Sequence, residues 1–358
     1  MRAVVLVGGE GTRLRPLTYS APKQMLPIVG VTMIERVLGS LAAHGVDRAV
    51  LSLGYLPDVF VGAYPEGVAA GVRLSYAVEP EPYDTAGAVR FAAEYAQIDE
   101  TFVVVNGDVL TDLDLGALVG FHQARGAEGT VALHPVADPS AFGVAVHDAQ
   151  GRVTEFVEKP PRDRSPSNLI NAGTYVLEPA VLARIAPGRR VSIERETFPA
   201  MVRDGTLYAS ADDAYWLDTG TPSAYLQAHR DLLAGRRGGI PSPGAVEHQP
   251  SIWTTGTPVI EGDVVAPSWL GDGASVAPGA VVSGSSLAAG CVVEQGASVV
   301  DSVLLAGARV AANASVAGSV LGPGSTVGER CDVRPISVLG AGAVVASGTM
   351  VDGKRVPA

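Results

Sequence analysis

The sequence predicts an α/β domain built on a mostly parallel sheet, followed by a β-helix of hexapeptide repeats. Three observations predict it. From residue 1 to 234, short apolar runs alternate with amphipathic ones. Beyond 258, aliphatic residues return every six positions. At the start, the apolar run 3–7 opens directly into Gly8, Gly9 and Gly11, the strand-to-loop corner at which such sheets carry their ligands.

The runs at 49–53, 74–77, 102–105, 130–135 and 173–177 are short and apolar and read as buried strands. The amphipathic stretches 33–44, 86–96 and 115–125 between them read as helices. Such alternation argues for a parallel sheet with helices on both faces. Residues 235–258 change character, with Gly-Arg-Arg-Gly-Gly and then Pro241, Pro243, Pro250 and Pro258, and read as a linker. The expected organisation is a domain over 1–234, a linker over 235–258 and a repeat domain over 259–358.

In the repeat region aliphatics recur at Val264, Leu270, Val276 and Val282, then at Leu287, Val293 and Val299. They continue through Leu304, Val310 and Val316 and run from Leu321 to Val351 without a break. The phase slips by one at 282→287, 299→304 and 316→321, so the coil repeats every 17 residues. Ser285, Ser302 and Ser319 keep the same register. A period of six with glycine-rich corners means three short faces per coil, stacked to bury the aliphatics. The flat sides, with Trp253 and Trp269 expected to be exposed, are the expected contact surface of a homo-oligomer.

The 358 residues suffice for about two domains. A net charge of −11 argues against nucleic acid or an anionic membrane as partner. Cys291 and Cys331 make no disulfide framework, and no apolar run approaches a bilayer span or a signal peptide. A reduced, cytoplasmic setting is expected.

The glycine loop delivers Arg13, Arg15 and Lys23. Glycines let backbone amides turn toward an anion, and the following cations suit a polyphosphate whose charge shifts during reaction. It is not a dinucleotide fingerprint, because Leu14 stands where the third glycine belongs. Nor is it a Walker loop, which needs Gly-Lys-Ser/Thr. Asn106-Gly107-Asp108 follows the strand 102–105. A carboxylate there can hold Mg²⁺ between phosphates, or accept hydrogen bonds in a tight turn. In Trp216-Leu-Asp218-Thr-Gly220-Thr-Pro222, Asp218 or Thr221 can also cap a helix. The six histidines show no metal-ligand spacing.

The run Gly8-Gly-x-Gly11-Thr12-Arg13-Leu-x-Pro-Leu-Thr18, with Pro22-Lys23 downstream, resembles the signature of the nucleoside-diphosphate-sugar pyrophosphorylases. Phe142-Gly143-Val144, Val157-Glu158-Lys159-Pro160, Asn171-Ala-Gly173-Thr-Tyr175 and the Trp216–Pro222 element resemble further motifs of that family, in the expected order. Val191-Ser-Ile-Glu194-Arg-Glu196 resembles its guanylyltransferase branch, closest to the mannose-1-phosphate guanylyltransferases with a C-terminal left-handed β-helix.

The resemblance implies a Rossmann-like domain that converts a nucleoside triphosphate and a sugar 1-phosphate into a nucleotide-sugar and pyrophosphate. GTP and mannose 1-phosphate are the implied pair and Mg²⁺ the implied cofactor. It assigns catalysis to Arg13, Lys23, Asp108 and Asp218, the two aspartates holding the metal. Leu6, Gly8, Gly9, Gly11, Thr12 and Arg13 would bind nucleotide, with Glu79, Thr85, Gly87 and Asn106. Lys23, Gly143, Glu158, Lys159 and Asn171 would bind the sugar phosphate. A sugar phosphate is mostly dianionic at neutral pH, because its second pKa is about 6, so no general base is needed.

Two departures leave the substrate open. Asp84 stands where the family usually has glycine, and Gln24 replaces a proline usual in guanylyltransferases. Asp84 can face solvent or tune selection, so dTTP, UTP, ATP or a sugar-like cyclitol phosphate remain alternatives. A non-catalytic subunit that senses nucleotide-sugars is the alternative of another class. Residues 259–358 contain no histidine, so an acyltransferase with a histidine base is not expected.

Overall fold

The computed structural model describes residues 1–237 and 240–357. Gly238 and Gly239 of the linker stretch, and Ala358 at the end of the repeat domain, lie outside the described residues. The chain divides into two compact units, Met1–Gly9 with Ile34–Trp216, and Glu10–Met33 with Leu217–Ala358.

The first unit carries a ten-stranded sheet. Its strands are β1 (Arg2–Leu6), β2 (Arg48–Leu53), β3 (Val68–Ala69), β4 (Val72–Val78), β5 (Phe102–Asn106), β6 (Gly129–Pro135), β7 (Gly143–His147), β8 (Val153–Glu158), β9 (Leu169–Leu177) and β10 (Leu207–Ala211). The order β5-β1-β2-β4 is wholly parallel. Beyond β5 the sheet turns mostly antiparallel, since β9 pairs against β5, β6 and β7, while β10 runs parallel to β6. Short connections between β6 and β9 need no helical crossover, which is why the alternation of helix and strand fades there. The first four helices are α1 (Met33–Ala43), α2 (Pro57–Ala63), α3 (Asp84–Tyr95) and α4 (Leu115–Arg125). The last begins where Asp114 accepts from the Ala117 amide at 2.9 Å and ends at left-handed Gly126. α5 (Phe198–Asp204) brings Phe198 against Phe156 and Tyr175, with centroids 5.3 and 5.2 Å apart. Val4, Val104, Phe102 and Tyr175 are buried beside them, each contributing roughly 1.5–3 kcal/mol by leaving water.

In the second unit, residues 10–33 form three single turns, Thr12–Leu14, Leu17–Tyr19 and Lys23–Met25, and a small hairpin closed by Gly30. α6 (Pro222–Leu233) is capped by Thr221, whose hydroxyl accepts from the Ala224 amide at 3.2 Å. The remainder is a solenoid of three sheets, parallel throughout except where Val246–Gln249 runs antiparallel to Ile252–Thr254. Two strands inside the linker stretch, Val246–Gln249 and Ile252–Thr254, join the first of these sheets. Facing strands step by 16 or 18 in the first coils, as in Ile252↔Ser268 and Asp263↔Val281, then by 17, as in Ser298↔Ser315 and Val303↔Val320, and by 18 in the coil joining Asp332 to Met350. That longer coil is the unbroken period of six after Leu321. The aliphatics from Leu270 to Val351 form one buried column.

The serine register has a bonding reason. Ser302 N donates to Ser285 Oγ at 3.0 Å, and Ser319 N to Ser302 Oγ at 3.1 Å. Each hydroxyl in turn donates to a corner carbonyl, Ser285 to Ser283 and Ser302 to Val300, both at 2.7 Å. The ladder satisfies corner amides that stacking alone leaves without partners.

One expectation is overturned. Trp269 is not an exposed contact residue: only 3% of it is accessible. A Cβ on Gly30 would lie 2.8 Å from Trp269 Cζ2, so the hairpin covers the indole closely. Trp253 is half-buried. Apolar exposure on the solenoid falls instead on Val344, Val259, Met350 and Val265. Cys291 and Cys331 are buried and unbridged.

Candidate active site

In the first unit Leu6, Gly8, Gly9, Glu79, Asn106 and Asp108 stand at or just beyond the carboxyl ends of the parallel strands, while Gly143, Glu158 and Asn171 lie on its antiparallel strands. β1 ends at half-buried Leu6, whose carbonyl accepts from Gly107 N at 3.0 Å, and Val7 N donates to Ser52 O at 3.1 Å. Gly8 and Gly9 follow, both exposed. A Cβ on Gly54 would lie 3.1 Å from the Gly8 carbonyl, and one on Gly8 would lie 3.5 Å from Glu79 Oε1. Glu79 accepts from Ser52 Oγ and from Tyr83 N, each at 2.9 Å. Its carboxylate therefore braces the loop before α3 and keeps lone pairs for a further donor. Asn106 and Asp108 stand half-buried at the tip of β5.

The loop into α3 explains two motif residues. Asp84 sits at φ +60, where glycine is the easy occupant. Asp84 is exposed, and its Oδ1 accepts from Thr85 N at 2.8 Å. Aspartate is among the residues that tolerate this conformation through such a local bond. Gly87 is buried, and a Cβ there would lie 2.7 Å from the Arg189 carbonyl. Its missing side chain lets residues 189–191 cross the helix.

A polar cluster forms around Glu158. Gly143 faces Glu158 across β7 and β8, and a Cβ on Gly143 would lie 2.9 Å from Glu158 Oε2. Lys159 Nζ lies 3.4 Å from Glu158 Oε1. Burial raises the Glu158 pKa, and the negative charge of Glu194 raises it further. Glu194 accepts from Thr85 Oγ1 at 2.8 Å and from Ser192 Oγ at 2.9 Å. Thr85 Oγ1 accepts from Ile193 N at 2.8 Å. Thr85, expected to meet the nucleotide, is thus bonded on both sides to the 192–194 segment. The sequence offers Glu194 only as part of a motif; its charge beside Glu158 emerges only in three dimensions.

Asn171 orders the third group. Its Nδ2 donates to Tyr175 Oη at 2.9 Å, and its Oδ1 accepts from Gly173 N at 2.9 Å. These bonds shape the irregularity between Asn171 and Tyr175 in β9. Gly173 there has φ +73, and a Cβ on it would lie 2.5 Å from Asn106 Nδ2. Trp216 closes the edge, its Nε1 donating to Ala172 O at 2.9 Å while its ring stacks on His134 at 5.5 Å.

The second unit carries the other candidates. Gly11 adopts φ +61 as the cap of the turn Thr12–Leu14. A Cβ on it would meet Thr18 Cγ2 at 3.0 Å and Lys23 Cβ at 3.1 Å, so Lys23 runs directly past the glycine. Thr12 and Arg13 are exposed. Arg13 Nη2 lies 3.6 Å from Asp218 Oδ2, and Asp218 Oδ1 accepts from Gly220 N at 2.8 Å. A Cβ on Gly220 would lie 2.5 Å from Arg13 Nη2, so this glycine makes the pairing possible. Among the described residues no three His, Cys, Asp or Glu side chains cluster as a metal cage.

The family description "Nucleotidyl transferase" matches residues 2–235, and "GMPPB C-terminal domain" matches residues 264–358. The chain belongs to the nucleotidyl transferase family and is an enzyme of that class. It is 43% identical over 249 residues to a mannose-1-phosphate guanylyltransferase of Mycobacterium tuberculosis, spanning 69% of this chain and 68% of that one. It is 39% identical over 269 residues to a mannose-1-phosphate guanyltransferase of Schizosaccharomyces pombe, spanning 74% and 71%. The crystal structure of HddC from Yersinia pseudotuberculosis complexed with GMP-PN is similar at a TM-score of 0.55 and 28% identity, over 64% of this chain and 99% of that one. Enzymes of this family generally use a divalent metal. Among the described residues no helix is long and apolar enough to cross a membrane.

Proposed function

We propose that the chain is a mannose-1-phosphate guanylyltransferase that joins GTP and mannose 1-phosphate into GDP-mannose and releases pyrophosphate. The observation that carries this reading is its similarity, at 43% and 39% identity, to relatives bearing that activity in their names. Glu79 supports the base: its carboxylate is an acceptor beside the Gly8 loop, and guanine offers an N–H and an amino group.

The sugar-phosphate oxygen attacks the α-phosphorus while the bond to the pyrophosphate oxygen breaks. Attacker and leaving group are both anionic, so positioning and charge neutralisation supply the acceleration. The amides of Gly8, Gly9, Gly11 and Thr12, with Arg13, hold the β- and γ-phosphates. Lys23 neutralises the phosphoryl groups that react. Asp108 and Asp218 are the residues to hold Mg²⁺, which when bound neutralises phosphate charge. Leu6, Glu79, Thr85, Gly87 and Asn106 shape the nucleoside side. Glu158 accepts from sugar hydroxyls, while Lys159, Asn171 and the Gly143 backbone hold the sugar phosphate.

Catalysis then belongs to residues 1–234, with 235–258 leading into a solenoid over 259–358 that joins copies into a cytoplasmic homo-oligomer. The test is pyrophosphate release by purified protein with four NTPs against a panel of sugar phosphates. The expected result is the highest kcat/KM with GTP and mannose 1-phosphate. A preference for another base or a cyclitol phosphate overturns the substrate assignment, and no turnover with any pair favours a sensing subunit.

A further inference from the structure

The turn that carries Arg13 is bonded to the far end of the solenoid. Arg355 lies on the strand Arg355–Val356, stacked on Val338–Leu339 as the last rung of its sheet. Its Nη2 donates to the main-chain carbonyl of Arg13 at 3.3 Å. The turn's own amides use other acceptors: Leu14 N donates to Gly11 O at 2.9 Å and Arg15 N to Thr12 O at 3.2 Å. Arg13 is thus held at both ends, its carbonyl by Arg355 and its guanidinium by Asp218. The rest of the segment is anchored on the same unit. Val29 N donates to His229 Nδ1 at 3.4 Å, Tyr225 Oη donates to the Pro27 carbonyl, and Gly30 lies against Trp269.

We propose that Arg355 is a positioning residue for the phosphate-binding turn, so that the last rung of the solenoid sets the affinity for the nucleoside triphosphate. The proposal rests on the reading of Arg13 as a phosphate ligand. A carbonyl pinned by a charged donor fixes the peptide plane following Arg13 and hence the direction in which its side chain leaves the turn. Hydrogen bonds to charged groups are the stronger ones, and Arg355 also brings a second guanidinium to a loop that must receive a polyanion. Because the rung is placed by stacking, its height depends on every coil beneath it. The solenoid then serves the triphosphate site as well as assembly.

The experiment compares full-length wild type with Arg355→Ala, Arg355→Lys and Lys354→Ala, measuring GTP binding by calorimetry in Mg²⁺ and steady-state kinetics. Lys354 is the exposed neighbouring cation, so its removal changes local charge without removing the bond. Arg355→Ala is expected to weaken GTP binding and raise KM for GTP by about tenfold, with kcat and the sugar-phosphate KM changed less than about threefold. Arg355→Lys should recover most of the loss, and Lys354→Ala should match wild type. Unchanged GTP affinity and KM in Arg355→Ala overturns the proposal, as does an equal loss in Lys354→Ala. If Arg355→Ala lowers the melting temperature, Arg355→Lys decides: wild-type stability with wild-type GTP affinity supports positioning, and wild-type stability with the full tenfold loss contradicts it. Should wild type turn over no NTP while Arg355→Ala still weakens GTP binding, the reaction assignment fails and the positioning role stands.

Discussion

The Arg13 guanidinium and the Asp218 carboxylate lie 3.6 Å apart, with Gly220 leaving the room for them to meet. A carboxylate proposed for Mg²⁺ is therefore already beside a cation. A metal held by Asp218 would therefore draw on the same carboxylate as Arg13.

Removing that carboxylate should separate these roles. Asp218→Ala and Asp108→Ala are each expected to lower kcat by ~10² or more with folding intact. Chelation of divalent ions should abolish turnover in wild type. Near-wild-type turnover by Asp218→Ala across a Mg²⁺ titration contradicts its assignment as a ligand.

Lys23 and Gly11 form a second testable pair, since any Cβ on Gly11 meets the Lys23 side chain. Lys23→Ala should act chiefly on kcat. Gly11→Ala adds strain at φ +61, costing about 1 kcal/mol or more, and should displace Lys23. Both variants are expected to lose kcat, which single-turnover kinetics measures. A change confined to KM would place Lys23 on ground-state binding.

Glu158 gives a pH dependence with a defined sign. Burial, with the Glu194 charge second, holds its folded pKa above the ordinary value of 4.5. An acid shifted upward stabilises the fold below its unfolded pKa, and that contribution is lost as pH rises through the folded pKa. Ligand-free Glu158→Gln should therefore gain melting temperature over wild type at about pH 8 and gain less at about pH 5. Its kcat/KM for the sugar phosphate should fall. An equal difference in melting temperature at both pH values refutes burial as the cause.

Asp84→Gly tests whether this residue selects substrate or only occupies a turn. Its exposure and its bond to Thr85 N favour the local role. We expect kcat/KM ratios across NTPs and sugar phosphates to stay within about threefold of wild type, under ~0.7 kcal/mol of discrimination. A larger change in any ratio makes Asp84 a selectivity residue.

The solenoid should mediate self-association. Full-length protein is expected to sediment as more than a monomer at micromolar concentration, and truncation after residue 240 should yield a smaller or aggregating species. Truncation also removes Trp269 and Arg355 from the 10–33 segment, so GTP use should fall with it. A monomeric full-length chain contradicts the assembly role.

What the sequence determined alone is whatever has a short-range physical cause. Burial every six residues is a local pattern, so the solenoid and its 17-residue coil could be read directly, as could the buried strands 102–105 and 173–177. The glycine loop was legible because Gly11 is forced by backbone conformation and close contact. Tertiary structure decided everything that depends on residues distant in sequence. It buried Trp269 under Gly30, bonded Thr85 to Glu194, and used the Asn171 bonds to place Gly173 against Asn106. It also gathered residues 10–33 with the chain after 216 and set Arg355 on the Arg13 carbonyl. Hydrophobic periodicity reports which face is buried, but not which distant group covers it. That pairing is settled by packing and hydrogen-bond satisfaction across hundreds of residues of chain.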